Sequence, residues 1–409
     1  MRDVLFASFI ALLLVGCEKQ DRLESLPGRT VEDSLFAVEE SNASTGKEQL
    51  FEEEVRVESE EELLEKKAQK FLNEAVLLTD EENYLEAKSS ILQACLIIEQ
   101  LGDKQHPKLL QCLKDLVFLA VQMKKNDEVI EYAREVANRA LADEDKAFAY
   151  NRIGLACFNK AEYDKAIEYN EKSLALYLES GGPDDPNVAL NYNNLGLAYL
   201  QMGKYDQSLE YFRKTLNVYF TSHGAEHPEV ASTYINMGTA YAKKGEYDKA
   251  IECNEKSLVI YLHARGPEHP KVGMNYNNLG LAYVQKQQYD KAIEYFEKTL
   301  NIYFKTLGTD HPEVATTYNQ LGLAYFRTEE YDAAIECNEM ALVIRLKVYG
   351  KDHPNVGMSY GNLGSLFAKK GMKEKSMDYL LKAKKIHLAK LGPQHPETKN
   401  IQKWIDSLE

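Results

Sequence analysis

The chain has 409 residues, a formal net charge of −15 and a hydrophobic content of 44%. This length exceeds one ordinary core and predicts several domains or a repeat array, while the apolar content excludes a wholly disordered chain. The negative charge argues against a nucleic-acid-binding protein, which needs a basic face to displace counterions. The six cysteines form no CxxC pair, so neither a disulfide framework nor a zinc site is predicted.

The first 17 residues have the features of an export signal. Arg2 precedes an apolar run over residues 4–15, which is too short to span a bilayer as a helix of about 20 residues. The run ends in Leu14-Val15-Gly16-Cys17, which resembles the lipobox of bacterial lipoproteins. The resemblance implies that Cys17 is lipidated and that the chain is anchored in the cell envelope, on the periplasmic face or the outer surface. The alternative is a short hydrophobic start with a chance cysteine.

Residues 18–66 are predicted to form an acidic, flexible tether. Between Val31 and Glu65 there are 13 acidic residues against two basic ones, so this stretch carries −11 of the net charge. Self-repulsion should keep such a segment extended. Its last part, from Leu50 to Lys67, is able to form a frayed helix that leads into the first repeat. The rest of the chain is close to neutral, so the net negative charge of the protein does not indicate the charge of the surface that binds a partner.

The remainder of the chain repeats itself. Six glycines recur at intervals of 42 residues, namely Gly154, Gly196, Gly238, Gly280, Gly322 and Gly364. Around them an apolar stripe follows helical spacing, as in Tyr192, Leu195, Gly196 and Tyr199. A second stripe follows after a turn at Gly203. Each repeat is therefore predicted to be a pair of helices.

Six regular pairs occupy residues 142–393, two degenerate pairs residues 67–141, and a capping helix residues 394–409. No pair buries its stripe alone, so about eight pairs are predicted to stack into an all-α solenoid. A glycine inside a helix costs about 1 kcal/mol relative to alanine, which close helix packing must offset. The expected close approach is that of Gly196 to the small residue Ser208 on the second helix.

A longer period of 84 residues is also visible. The sequence that begins at Asn170 returns at Asn254 and Asn338, whereas the intervening copies begin with Phe212 and Phe296. This alternation is interpreted as a trace of duplication.

A proline opens the first helix of each following repeat, where its missing N–H is harmless. The prolines are Pro186, Pro228, Pro270, Pro312, Pro354 and Pro396. The preceding residues occupy the capping position and are Asp185, His227, His269, His311, His353 and His395. Because these imidazoles lie one repeat apart, on the order of 10 Å, they are predicted to be helix caps. No metal site and no cofactor are predicted.

This pattern resembles the tetratricopeptide repeats of kinesin light chains, which share the 42-residue length and a G-x-x-H-P-x-V link such as that from Gly224 to Val230. The resemblance covers about residues 67–396. It implies a right-handed superhelix whose first helices line a concave groove that binds other polypeptides. Cargo transport is not implied, because no heptad segment for pairing with a heavy chain is found before the repeats.

With the recurrent glycine taken as position eight, the resemblance implies that positions five, six and thirteen face the groove. Position six carries Asn194, Asn236, Asn278 and Asn362, position five Asn193 and Asn277, and position thirteen Lys243, Arg327 and Lys369. Carboxamides can pair with the backbone of any extended peptide, and asparagine is a poor helix former whose recurrence needs a reason. The alternative is that these amides bond neighbouring repeats to each other. The three cations predict affinity for an acidic segment.

No G-x-x-x-x-G-K-[ST], G-x-G-x-x-G, G-x-S-x-G or H-E-x-x-H motif is present, so no enzyme and no catalytic residue are predicted. The predicted function is a non-catalytic, membrane-anchored scaffold or adaptor that binds an extended peptide segment of a partner protein. Two alternatives remain: a surface lipoprotein that engages a host or neighbouring-cell protein, and a cytoplasmic adaptor similar to kinesin light chain if the signal interpretation is wrong.

Overall fold

A computed structural model describes residues 59–101 and 107–408. This part of the chain is all-α and contains 17 helices in successive pairs. The helices are α1 (Glu60–Asp80), α2 (Tyr84–Gln100), α3 (Pro107–Gln122), α4 (Asn126–Arg139), α5 (Asp143–Asn159), α6 (Tyr163–Ser180), α7 (Pro186–Gln201), α8 (Tyr205–His223), α9 (Pro228–Lys244), α10 (Tyr247–Arg265), α11 (Pro270–Gln285), α12 (Tyr289–Thr306), α13 (Pro312–Arg327), α14 (Tyr331–Tyr349), α15 (Pro354–Lys369), α16 (Lys373–Leu391) and α17 (Pro396–Asp406).

The helices stack in chain order. Each packs most extensively against the helices immediately before and after it, which is the neighbour-only packing of a solenoid. We call α1, α3 and the later odd-numbered members up to α15 the first helices, and α2 to α16 the second helices. Helix α17 covers the last pair. The predicted all-α solenoid of helix pairs with a C-terminal helix is confirmed.

Helix α1 starts inside the segment that was predicted to be a tether. Ser59 caps it: the Ser59 hydroxyl accepts a hydrogen bond from the Glu62 N–H at 3.1 Å, and the Ser59 N–H donates to the Glu62 carboxylate at 3.2 Å. This reciprocal capping box determines where the helix begins. The predicted signal over residues 1–17, with Cys17, and the tether up to residue 58 lie outside the described residues.

The recurrent helix glycines make room for a large side chain rather than for a small one. Ser208 does contact Gly196, since its hydroxyl donates to the Gly196 carbonyl at 2.7 Å. However, a Cβ atom at Gly196 would lie 2.6 Å from Cε1 of Phe212. The expected contact between Gly196 and Ser208 is therefore present, and in addition the phenyl ring of Phe212 occupies the space over the glycine.

The 84-residue alternation has a packing consequence. At Gly154, Gly238 and Gly322 the residue over the glycine is an asparagine of the second helix, whereas at Gly196 and Gly280 it is a phenylalanine. All of these second-helix side chains are buried. The contact between the two helices of a pair therefore exists in two alternating forms, one with asparagine and one with phenylalanine over the glycine.

The predicted histidine caps are present. Nδ1 of each histidine accepts a hydrogen bond from the N–H two residues later, at 3.1 to 3.3 Å, in His227, His269, His311, His353 and His395. At the start of α7 the Asp185 carboxylate does the same for the N–H of Asn187 at 2.7 Å. A cap that accepts through Nδ1 requires the unprotonated ring nitrogen.

The caps predict a dependence of stability on pH. Burial lowers the pKa of His269 and of His311 below the ordinary histidine value. A lowered pKa in the folded state means that stability is full above about pH 6.5 and is lost as the pH falls further. We expect the double substitution His269→Asp, His311→Asp to reduce this loss between pH 6.5 and 5, because an aspartate cap stays ionised and able to accept the hydrogen bond over this range. Urea denaturation at both pH values measures it, and an identical loss in the two proteins would contradict it.

Two further structural results concern the described residues. No helix among them combines the length and the apolar character needed to cross a membrane. No group of three or more histidine, cysteine, aspartate or glutamate side chains within them is arranged to hold a metal ion.

Candidate peptide-binding groove

The first helices line the inner side of the array. Successive first helices contact each other directly, as α5 does with α7, α7 with α9, α9 with α11, and α11 with α13. No comparable contact joins successive second helices in the described part of the chain. In a curved stack the elements on the inner side lie closer together, so the first helices form the concave face that the repeat pattern predicted.

The position-six asparagines are half-buried on this face, and two of them, Asn362 and Asn194, donate to an asparagine of the preceding second helix. Asn362 Nδ2 donates to Asn319 Oδ1 at 2.6 Å and to Asn338 Oδ1 at 3.3 Å. Asn194 Nδ2 donates to Asn170 Oδ1 at 3.2 Å, which also accepts from Asn151 at 3.5 Å. These bonds connect consecutive repeats, so at Asn194 and Asn362 the amides do what the alternative interpretation expected of them.

Asn236 and Asn193 are paired with each other. Asn236 Nδ2 donates to Asn193 Oδ1 at 2.9 Å, which again connects one repeat to the next. Both side chains are half-buried and keep part of their hydrogen-bonding capacity at the surface, since each amide has two N–H donors and an oxygen with two lone pairs.

Asn278 differs from its counterparts. Its side chain is half-buried and makes no hydrogen bond to another described residue. Asn254, which corresponds to Asn170 and Asn338, leaves its buried Oδ1 without a partner within the described chain, as do Asn277 Oδ1 and Gln320 Oε1. Among the four position-six asparagines, Asn278 is therefore the one whose amide has no hydrogen-bond partner among the described residues. Asn277 itself is only 3% exposed, so the structure places its side chain inside the stack.

Apolar side chains also occur on the first helices. Position nine carries Leu197, Leu281 and Leu323, all half-buried, with Thr239 at the same position of α9, and Leu190 at position two of α7 is 37% exposed. A concave face with apolar positions beside precisely placed polar groups has the composition of a ligand-binding surface.

The three cations of position thirteen lie at the ends of their first helices. Lys243 and Arg327 are two repeats apart, with Gln285 between them, whereas Arg327 and Lys369 are in adjacent repeats. Lys243 is half-buried while Arg327 and Lys369 are exposed. Burial lowers the pKa of Lys243, and within the described residues none of the three forms an ion pair.

The lysines at the next position behave differently. Lys244 bridges to Asp206 and to Glu246, each at 2.7 Å, and Lys286 and Lys370 pair with Asp248 and Asp332 of the preceding repeats. These lysines connect repeats at the surface. Lys243, Arg327 and Lys369, by contrast, form no such bridge within the described residues.

Sequence reasoning did not include the second-helix asparagines in the site. Asn170 and Asn338 accept hydrogen bonds from the position-six amides and so hold them in place. The signal was present in the 84-residue alternation, which places asparagine over every second recurrent glycine. The leucines of position nine could also be identified from the sequence, by counting residues from the recurrent glycine.

Comparison with known proteins agrees with this architecture. The tetratricopeptide repeat family profile matches residues 145–219, 229–305, 274–347 and 313–389, which together exceed half of the chain. The molecule is a helical solenoid of the kind that binds other proteins. It belongs to the tetratricopeptide repeat family. No curated protein sequence gave a match.

Several solved structures are similar. A putative kinesin light chain with nearly identical TPR-like repeats from Podosopora anserina is 23% identical, with 50% of this chain and 97% of that chain covered and a TM-score of 0.45. BtubC (BKLC) from P. vanneervenii is 23% identical, with 58% and 92% covered and a TM-score of 0.49. The apo form of RapI is 15% identical, with 83% and 97% covered and a TM-score of 0.56, and it shares the fold.

Proposed function

We propose that this protein is a non-catalytic scaffold that binds an extended, acidic peptide segment of a partner protein along the first helices α7 to α15, and that a lipid on Cys17 anchors it to a membrane of the bacterial cell envelope. Tetratricopeptide repeats typically serve protein–protein interaction, which supports the scaffold role. The observation that carries the peptide proposal is Lys243, a half-buried cation on the concave face with no ion pair in the described chain.

A half-buried charge without a counter-charge is unfavourable, because it loses part of its hydration without gaining an ion pair. A ligand carboxylate beside Lys243 would supply the missing partner and offset that loss. The leucines of position nine would bury apolar side chains of the same ligand, and the amide of Asn278 would contact its backbone. An extended chain with acidic and apolar residues fits all three features.

The role of Lys243 can be tested with defined peptides. We expect peptides selected from a random phage-displayed library on the mature protein to be enriched in Asp and Glu. Lys243→Gln should weaken the best of these about ten- to a hundredfold, because a charge-assisted contact contributes about 1.5–3 kcal/mol. Titration calorimetry measures the affinity at low and at high salt.

Lys256→Gln is the matched control, since Lys256 lies on second helix α10 with Glu252 as its partner at 2.7 Å. It should leave peptide affinity unchanged. Selected peptides without acidic enrichment, or an equal loss of affinity in both variants, would show that the groove does not recognise acidic segments through Lys243.

The anchor makes a separate prediction. Because the lipobox-like sequence ends at Cys17, Cys17→Ala should leave an unprocessed precursor that takes up no labelled palmitate. Radiolabelling and gel mobility in a bacterial host measure this. If the variant and the parent protein migrate and label identically, the anchor proposal is refuted.

The exposed-surface alternative concerns the side of the membrane on which the repeats lie. Digestion of intact cells with a protease distinguishes the two locations, because only a surface-exposed array is cut without disruption of the envelope. Protection on intact cells together with cleavage after lysis would favour the periplasmic scaffold.

A further inference from the structure

Helix α2 carries an exposed apolar stripe. Leu85, Leu92 and Leu96 are 68%, 37% and 62% exposed, and Ser89 lies exposed between the first two. These four positions follow the spacing i, i+4, i+7 and i+11, which places them on one face of the helix. With a rise of about 1.5 Å per residue, the face extends over about 16 Å along the helix axis. We call Leu85, Ser89, Leu92 and Leu96 the leucine stripe.

The same face is charged on the other second helices. Counted from the first residue of the helix, Leu85 corresponds to an acidic residue in each of them, at Asp127, Asp164, Asp206, Asp248, Asp290, Asp332 and Glu374. Ser89 also corresponds to an acidic residue in each, at Glu131, Glu168, Glu210, Glu252, Glu294, Glu336 and Asp378. All of these acids are exposed. The face is therefore a surface throughout the array, and α2 differs by presenting leucines on it.

The leucine stripe is too small to hold two copies of the chain together. A stable protein interface buries about 800 Å² on each partner, and three partly exposed leucine side chains supply only a fraction of that area. A lipid bilayer is a different case. A contact that is too weak to hold a protein at a membrane by itself can add to an anchor that already holds it there.

The place of α2 in the chain favours the bilayer. Helix α2 belongs to the first pair of the array, which is the pair nearest in sequence to Cys17. We propose that the leucine stripe lies against the lipid bilayer and inserts its three leucine side chains at the interface between headgroups and acyl chains. This inference rests on the proposed lipid anchor at Cys17, which would keep the first pair close to the membrane.

The charges of α2 indicate the kind of lipid surface that fits. Lys88, the only basic residue of this helix, is paired with Glu128 at 2.6 Å. Glu86 and Glu99 are acidic, and Glu99 is paired with Arg139 at 3.2 Å. Because the helix offers no unpaired cation, the contact does not need anionic headgroups. We expect it to form on uncharged phosphatidylcholine and to depend little on salt.

The test places a fluorophore in the leucine stripe of the full chain. Trp404, the single tryptophan, is changed by Trp404→Phe, and Leu96→Trp then reports on the stripe. The protein is produced in a bacterial host and reconstituted with phosphatidylcholine vesicles whose acyl chains are brominated. Its fluorescence should fall by about half relative to unbrominated vesicles, because the ring would lie about 5–10 Å into the interface, where bromine quenches it.

Val259→Trp is the matched control, since Val259 of α10 corresponds to Leu96 and is 66% exposed. Its fluorescence should be the same with both kinds of vesicle. Adding Leu85→Asp and Leu92→Glu, the residues that α6 has at these positions, should abolish the quenching of Leu96→Trp. Circular dichroism verifies that each variant is folded.

Flotation of the vesicles reports on the anchor separately. Quenching of Leu96→Trp without flotation would support the bilayer contact and refute the anchor. Flotation without quenching, or equal quenching of Leu96→Trp and Val259→Trp, would overturn the bilayer contact while keeping the anchor. Neither flotation nor quenching would refute both. A dimer in sedimentation that Leu85→Asp and Leu92→Glu dissociate would show that a second copy covers the stripe, which also overturns the proposal.

Discussion

Gly280→Leu is expected to destabilise the repeats around α11 and α12 by about 3 kcal/mol, through overpacking. A Cβ atom at Gly280 would lie 2.6 Å from Cε1 and 2.8 Å from Cδ1 of Phe296. The Phe296 side chain is fully buried and has no free space into which it can withdraw, because protein interiors are close-packed. Even Gly280→Ala should be destabilising, although alanine is the better helix former by about 1 kcal/mol.

Gly361 provides the matched control. It also lies inside a first helix, but a Cβ atom there would be 3.8 Å from its nearest neighbour, Cγ1 of Ile401. Gly361→Ala should therefore stabilise the protein by about 0.5–1 kcal/mol. Guanidinium denaturation of the three variants measures the differences. Similar effects of alanine at Gly280 and at Gly361 would show that the recurrent glycine is not required by packing.

The asparagines of position six should separate into two classes. Asn362→Ala removes the donor to Asn319 Oδ1 and Asn338 Oδ1, whose side chains are 6% and 3% exposed. Leaving these buried oxygens without their donor should cost about 1–3 kcal/mol of stability. Asn278→Ala breaks no hydrogen bond to a described residue, so stability should stay the same or increase slightly.

Peptide binding should show the opposite pattern. Asn278→Ala should weaken a selected peptide about two- to tenfold, because one hydrogen bond contributes about 0.5–1.5 kcal/mol and a factor of ten corresponds to about 1.4 kcal/mol. Thermal unfolding and titration calorimetry of both variants separate the two roles. If Asn278→Ala unfolds early, or binds peptide normally, then this amide also serves the repeat stack and the backbone contact must be sought elsewhere on the concave face.

The repeat architecture could be predicted from the sequence because its determinants are local. The 42-residue spacing of the glycines, the apolar stripes and the prolines at the first helical position specify where each helix begins and which face is buried. The histidine caps follow from the same register, since a cap contacts only the N–H two residues along the chain. The capping box of Ser59 and Glu62 is equally local, yet it lay within acidic residues that had been interpreted as tether.

The partners of the buried polar groups required the tertiary structure. Asn194, Asn236, Asn278 and Asn362 occupy the same position of their repeats. Three of them donate to residues 24 or 43 positions away, whereas Asn278 forms no hydrogen bond to a described residue. The residue 43 positions before Asn236 is Asn193, whereas the residue 43 positions before Asn278 is Ile235. A replacement at such a distant position changes which partner an amide can reach, although the residues beside the amide in the sequence are unaffected. The same holds for Phe296 over Gly280.

The sequence by itself determined the helices and the order in which they stack, because these depend on periodicity and on neighbouring residues. Only the tertiary structure decided which side chains meet between the helices. Residues at the same position of different repeats look equivalent in the periodic pattern, but each packs against different residues from distant parts of the chain.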